Sequence, residues 1–252
     1  MRILYVFPHP DDESFGPALG IARQLRDGHQ VHLLTLTRGE ATKQRLRLGL
    51  SKEEMGRVRL AEMEAMAEAL GLSGLRVLDF PDARLKELDP RPLEEAVADE
   101  VRRLEPSVVV TYPVHGISGF EDHIVTHAVV KRAYCQLAGE PGTSLRRLAF
   151  WGLGESPEPD RHVPLRTTPD TEADCRFLIE ATERSTAEQA LACYETYLEV
   201  IEKARPLERA GDEVRYEFFG ERFDPPVSDL TDALPERPRT GLPEEAAGQG
   251  GP

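Results

Sequence analysis

Residues 2 to 14 read Arg2-Ile3-Leu4-Tyr5-Val6-Phe7-Pro8-His9-Pro10-Asp11-Asp12-Glu13-Ser14. The apolar run from Arg2 to Phe7 has the length and residue types of a buried strand, and the prolines at 8 and 10 close it. An amphipathic stretch from about Ser14 to Arg26 follows and ends at Asp27-Gly28, giving strand, loop, helix and C-cap in under thirty residues. The same order recurs downstream. Strands are expected over 29–37, 76–80, 107–112 and 148–153, and helices over 52–70, 93–104 and 121–137. Fully apolar strands alternating with helices imply an α/β fold, with a Rossmann-like, mostly parallel sheet and helices on both faces.

A long helix is expected over 186–204 and a late strand over 213–219. Beyond Asp224 the composition shifts to Pro, Glu, Gly and Ala, so residues 1–224 read as one domain and 225–252 as a flexible tail. A chain of 252 residues with 40% hydrophobic and 30% charged residues suits a single soluble core. The formal charge of −14 argues against nucleic acid, whose binding needs clustered Lys and Arg. No signal-peptide pattern precedes Pro8, so a cytoplasmic protein without a membrane partner is expected. Cys135, Cys175 and Cys193 are too few and too scattered for a disulfide framework or a thiolate metal cluster.

In open α/β sheets ligands bind beyond the carboxyl ends of the strands. Two such places carry metal-binding side chains: His9 to Glu13 after the first strand, and His115 to His123 after the fourth, with His127 a helical turn later. His9, Asp12 and His123 can supply the three nitrogen and oxygen ligands of a catalytic metal site that keeps one position open. Pro10 holds His9 extended, and Asp11 and Asp12 are expected in the first turn of the following helix, where its dipole favours ionised carboxylates. Asp11, pointing away from the metal, is placed to take a proton from water. Paired acids at a helix start also serve as plain caps, so it is the second cluster after strand four that gives the pair its weight.

His9-Pro10-Asp11-Asp12-Glu13 resembles the first motif of the LmbE/PIG-L family of zinc-dependent N-deacetylases. Further segments resemble that family in the same order over most of the first 130 residues: Thr37-Arg38-Gly39-Glu40, Arg59 and Glu62 leading to Leu70-Gly71, Phe80-Pro81-Asp82, and Gly116 to His123. The resemblance implies zinc held by His9, Asp12 and His123, Asp11 as general base, and Asp122 as a residue that orients a neighbour. Arg59, Asp82 and Phe120 are candidates to touch substrate, with a helix ion pair for Arg59 and a turn for Asp82 as the plain alternatives. The family shows a histidine at the position of Phe120, one that protonates the leaving amine and steadies the oxyanion. Phenylalanine does neither, and His115 and His127 are the nearby candidates to replace it.

The function implied by the resemblance is removal of an N-acetyl group from an N-acetylglucosamine-type sugar conjugate, including thiol-sugar precursors, or cleavage of an amide in such a conjugate. Two rivals from other classes remain at this point. One is a zinc-bound protein that binds a sugar-like ligand with little turnover because Phe120 has removed the acid. The other is a phosphoesterase using the paired aspartates, for which two-metal sites usually need more ligands. Zinc rests on the resemblance, since His-Asp-His with open positions also suits iron(II) or cobalt. Assembly into a homo-oligomer is left open.

Overall fold

Alternation along Arg2–Phe7 (β1) sets the layers of the molecule. Ile3, Tyr5 and Phe7 enter one buried apolar cluster, while Leu4 and Val6 enter the other, on the opposite face. The computed structural model describes residues 1–155 and 164–235. After β1 come α1 (Pro17–Arg26), β2 (Gln30–Thr37), α2 (Gln44–Arg47), α3 (Lys52–Leu70), β3 (Gly74–Phe80), α4 (Pro90–Leu104), β4 (Val108–Thr111), α5 (Glu121–Leu137) and β5 (Arg147–Gly152). The chain continues through β6 (Cys175–Leu178), α6 (Ala181–Ala192), α7 (Leu198–Ala204), α8 (Pro206–Ala210) and β7 (Glu213–Phe218).

The seven strands form one sheet in the order β3-β2-β1-β4-β5-β7-β6. The pairs among β1 to β5 are parallel, and β7 runs antiparallel to both of its neighbours. Ile3 pairs with Val31 on one side and with Val108 on the other. Helices α1, α3 and α6 bury Leu19, Met63 and Ala187 against one face, and α4 and α5 bury Val97 and Val130 against the other. The expected mostly parallel sheet with helices on both faces is what the chain forms. Strand order reverses between β1 and β4, so the loops after these two strands splay apart and leave a crevice.

Four local expectations are corrected. Helix α1 begins at Pro17 rather than near Ser14, and no acid stands in its first turn. Asp11 adopts a left-handed backbone (φ 85°), and Ser14 and Phe15 donate their N–H groups to its carbonyl at 2.8 and 3.0 Å, so residues 11–16 form turns instead of helix. The long helix expected over 186–204 is instead α6, a 3₁₀ turn over Glu195–Tyr197, and α7. Its break follows from the burial of Tyr194 and from two hydrogen bonds that hold Thr196 to Glu62. Strand β6, four residues long at the sheet edge, has too short a pattern to be read from sequence.

The expected tail starts too early. Val227 bridges to Cys175, Leu230 is fully buried, and Arg147 donates to the carbonyls of Leu230 and Asp232. A buried guanidinium needs acceptors, and this segment supplies them together with Glu221 at 2.9 Å. The remainder of the expected tail, residues 236–252, lies outside the described residues.

Candidate metal centre

The loop leaving β1 is tied down before its functional residues begin. The carbonyl of Pro8 accepts both the N–H and the hydroxyl of Thr37, each at 2.9 Å, which anchors it to the end of β2. The turn at Asp11 then folds Asp12 back, and the Asp12 Oδ2 accepts the backbone N–H of His9 at 2.9 Å. Across the crevice, α5 begins at Glu121 and carries Asp122 and His123 in its first turn.

These two loops converge on one buried cluster. Asp12 Oδ2 lies 3.4 Å from His9 Nδ1, and Asp12 Oδ1 lies 3.3 Å from His123 Nε2. The ligand atoms of His9, Asp12 and His123 all fall within 4.8 Å of one another. His123 Nδ1 lies 3.0 Å from the Gly116 carbonyl, an acceptor, which holds the ring with its Nε2 towards Asp12. Tyr112 stacks on the His123 ring at 4.3 Å and donates its hydroxyl to Asp12 Oδ1 at 2.8 Å. Two imidazoles and a carboxylate, oriented this way, fit a divalent cation such as zinc.

The electrostatics agree with that fit. His9 Nε2 lies 3.2 Å from Asp122 and 3.3 Å from Asp82. Burial pulls the His9 pKa down, but hydrogen bonds to Asp12 and Asp122 outweigh it and raise it to about 10. Burial pushes the Asp12 carboxyl up, yet His123 and His9 hold it well below the usual carboxylate range. Asp122 is itself fixed by the backbone N–H groups of Ala83 and Leu85, at 2.8 and 3.1 Å. Asp82 accepts the N–H of Ala41 at 2.7 Å. The cluster therefore concentrates negative charge around a single imidazole, a setting that favours a cation.

Asp11 stands beside the cluster and turns its Oδ2 to Arg59 Nη2 at 2.9 Å. Burial raises its pKa to about 6, against the pull of Arg59. Arg59, a candidate to touch substrate, is instead buried: its side chain is 1% exposed, it also donates to the Pro10 carbonyl at 2.7 Å, and the Tyr197 ring covers it at 3.9 Å. Gly39 makes this approach possible, since a Cβ there would come within 3.0 Å of Pro10 and 3.1 Å of Arg59 Nε. Asp82 faces His9 rather than open solvent. Phe120 is 57% exposed at the N-terminus of α5, with its ring edge-on to His123 at 5.5 Å.

Among the described residues, the ring of neither histidine proposed to replace a proton donor makes a hydrogen bond, ion pair or ring contact with His9, Asp11, Asp12 or His123. His115 Nδ1 accepts the N–H of Ile117 at 3.1 Å, and His127 Nδ1 donates to the Tyr112 carbonyl at 2.9 Å with its ring against Phe150. Burial lowers the pKa of both.

Sequence reasoning passed over Tyr112 and read residues 194–197 as core packing. Tyr194 donates to Glu13 at 2.6 Å, so the last acid of the His9–Glu13 run faces away from the cluster and pins the break after α6. Glu62 pins the same segment through Thr196, and together they set Tyr197 over Arg59. The one available signal was the pair of tyrosines flanking Glu195-Thr196.

A Rossmann-like sheet with a buried His-Asp-His cluster at its switch point defines the class: an α/β protein with a candidate catalytic metal centre. A model of the PIG-L family, described as GlcNAc-PI de-N-acetylase, matches residues 4–134, and the chain belongs to this family. It is 33% identical over 212 residues to 1D-myo-inositol 2-acetamido-2-deoxy-alpha-D-glucopyranoside deacetylase of Kineococcus radiotolerans, covering 69% of this chain and 57% of that protein. The chain thus spans little more than half the length of the curated relatives it matches. Among solved structures it is similar to a deacetylase triple mutant of the teicoplanin biosynthetic pathway, with a TM-score of 0.68 at 17% identity, over 87% of this chain and 98% of that one. It is also similar to 4-carboxy-2-hydroxymuconate hydratase of Pseudomonas putida KT2440, with a TM-score of 0.64 at 18% identity, over 88% and 97%. One scaffold carrying two kinds of reaction means that the fold alone does not choose the chemistry. No helix among the described residues is long and apolar enough to cross a membrane.

Proposed function

We propose that this chain is a metal-dependent N-deacetylase acting on an N-acetylated, glucosamine-type sugar conjugate. The observation that carries the reading is the convergence of His9, Asp12 and His123 within 4.8 Å, with Asp11 beside them on a separate hydrogen-bonding leash. Membership of the PIG-L family and a relative named as a sugar deacetylase support it.

His9, Asp12 and His123 hold the metal, zinc by family. Bound there, zinc supplies a Lewis acid for the amide carbonyl and acidifies water. Asp122 keeps His9 in place, because its carboxylate is itself anchored by two backbone N–H groups. Asp11 takes the proton of the attacking water at Oδ1, since its Oδ2 is held by Arg59. With phenylalanine at 120, Asp11 also returns that proton to the leaving nitrogen, so acetate and a free amine are the products. Arg59 positions Asp11 rather than touching substrate, Asp82 borders the pocket beside His9, and Phe120 gives it an apolar wall.

The test is release of free amine from N-acetylglucosamine glycosides by the zinc-loaded protein. Asp11→Ala is expected to lower kcat by roughly a hundred- to ten-thousandfold while leaving zinc stoichiometry unchanged. Metal analysis of the same samples after loading with zinc, iron(II) or cobalt reports which ion the site retains. Full turnover in Asp11→Ala, or a protein that binds no divalent ion, would sink the reading.

A further inference from the structure

Arg59 carries a permanent charge in a buried place, and a guanidinium spreads five N–H donors over three nitrogens. Both of its hydrogen bonds among the described residues leave from one of these, Nη2: to the Pro10 carbonyl at 2.7 Å and to Asp11 Oδ2 at 2.9 Å. Nε and Nη1 are buried and meet no acceptor among those residues. Two bonds at a single nitrogen fix where that nitrogen lies. They leave the plane of the group to whatever packs against its faces.

What packs there is aromatic. The Tyr197 ring lies 3.9 Å from Arg59 Cζ, and the Tyr194 ring lies 5.5 Å from it. A guanidinium stacks on such a ring through cation–π attraction, which strengthens when the pair is withdrawn from water. Along the stem, a Cβ on Gly39 would lie 3.2 Å from Arg59 Cδ, so the loop after β2 presses close to it.

Tyr197 is itself held from several sides. Its hydroxyl donates to Thr42 Oγ1 at 2.7 Å. Its neighbour Thr196 donates its N–H and its hydroxyl to Glu62 at 2.7 and 2.9 Å, and Tyr194 donates to Glu13 at 2.6 Å. Glu62 follows Arg59 by three residues, so one face of α3 carries both the cation and the anchor of the ring that covers it. The spacing between ring and cation is therefore set within one turn of α3. Tyr197 is half-buried and also packs at the edge of an apolar cluster. Packing asks only for bulk at 197, whereas a guanidinium without bonds at Nε and Nη1 needs a flat ring.

Asp11 stands at the end of this run of contacts. A tilt of the guanidinium moves Nη2, and Asp11 Oδ2 moves with it. A displacement of about 1 Å at a reacting group can lower a rate about a hundredfold.

We propose that Tyr197 is a positioning residue for the proton step: its ring fixes the plane of Arg59, and Arg59 in turn fixes the Asp11 carboxylate. What Asp11 does rests on the deacetylase reading; what Tyr197 does to Asp11 rests on the geometry. Tyr197 acts through Arg59 and takes no part in the bond that breaks.

The zinc-loaded full chain is compared with Tyr197→Leu, which keeps bulk without a ring, and with Tyr197→Phe, which keeps the ring and loses the bond to Thr42. Release of free amine from N-acetylglucosamine glycosides gives kcat and KM. Tyr197→Leu is expected to lower kcat roughly ten- to a hundredfold with KM and zinc stoichiometry unchanged, and Tyr197→Phe to recover most of that loss. In an Arg59→Lys background, where the flat group is already gone, Tyr197→Leu is expected to cost little more. The NMR signal of the Asp11 carboxylate carbon, assigned by its loss in Asp11→Asn, is expected to shift in Tyr197→Leu and to stay in place in Tyr197→Phe. If Tyr197→Leu does not fold, Tyr197→Met fills the same space in its stead.

Wild-type kcat in Tyr197→Leu, a rise in KM with kcat unchanged, an equal loss in Tyr197→Phe, or a full further loss in the Arg59→Lys background would each overturn the proposal and leave the deacetylase reading standing. Absence of amine release by the wild-type chain removes that reading instead. The Asp11 signal then decides alone: a shift in Tyr197→Leu upholds the positioning role, and an unmoved signal overturns it.

Discussion

At Gly116 the backbone turns with φ 63°, and a Cβ there would lie 2.8 Å from that of His123. The same residue's carbonyl fixes the His123 ring. Gly116→Ala must therefore either strain the turn or push the candidate ligand aside. Loss of an outer partner of this kind typically weakens metal binding about ten- to a hundredfold, and a chelator competition titration on Gly116→Ala is expected to show that loss. Unchanged zinc affinity would mean that His123 is held by its stacking on Tyr112 and by the Ser118 hydroxyl, 3.3 Å from its Nδ1, without the Gly116 carbonyl. At this scale much of the site was legible: His9, Asp11, Asp12, Asp122 and His123 stand in the sequence as two short clusters, and the fold brings both to one place. Arg59 was legible only as a residue type near the site. A helix register does not say whether a side chain ends in solvent or under a tyrosine from residue 197.

Elements decide what the individual histidines on α5 experience. His123 in the first turn faces the crevice, whereas His127 one turn on lies between the Tyr112 carbonyl and the Phe150 ring. Burial lowers the His127 pKa from the ordinary 6.5, so the fold prefers the neutral ring. The stability that preference contributes is complete above pH 6.5 and is lost as the pH falls through the lowered value. Asparagine at 127 keeps a donor for the Tyr112 carbonyl and does not titrate. His127→Asn is thus expected to flatten the fall in Tm between pH 6.5 and 4.5, while a proton-donating role would instead appear as a collapse of kcat at neutral pH. The break between α6 and α7 belongs to this scale too. Its sequence is compatible with a continuous helix; Glu13 and Glu62, more than a hundred residues earlier, are what interrupt it.

Across the whole molecule, the reversal of strand order between β1 and β4 turns two distant segments into one centre. The sheet's far side is closed by residues 225–235, which compositional reading assigns to a tail. Leu230 there is fully buried in the same apolar cluster as Tyr5 and Tyr216. Leu230→Ala is expected to cost about 2–5 kcal/mol, as large-to-small changes in cores do, read as a drop in Tm. A true tail residue would give no measurable change. Proline- and glutamate-rich composition signals disorder only when the segment has nothing to satisfy, and Arg147, buried in β5, needs the carbonyls that this segment offers.

By itself the sequence determined the parallel sheet, the two faces of helices and the pair of loops that carry the chemistry. Those features depend on local periodicity and on residue types at strand ends, which are fixed before any long-range contact forms. Tertiary structure alone decided that Asp11 leaves the helix for a left-handed turn, that Arg59 is roofed by Tyr197, and that Glu13 faces away from the cluster. Each of these is settled by which distant group meets a donor, an acceptor or a charge, and such pairings are made only when the chain closes on itself.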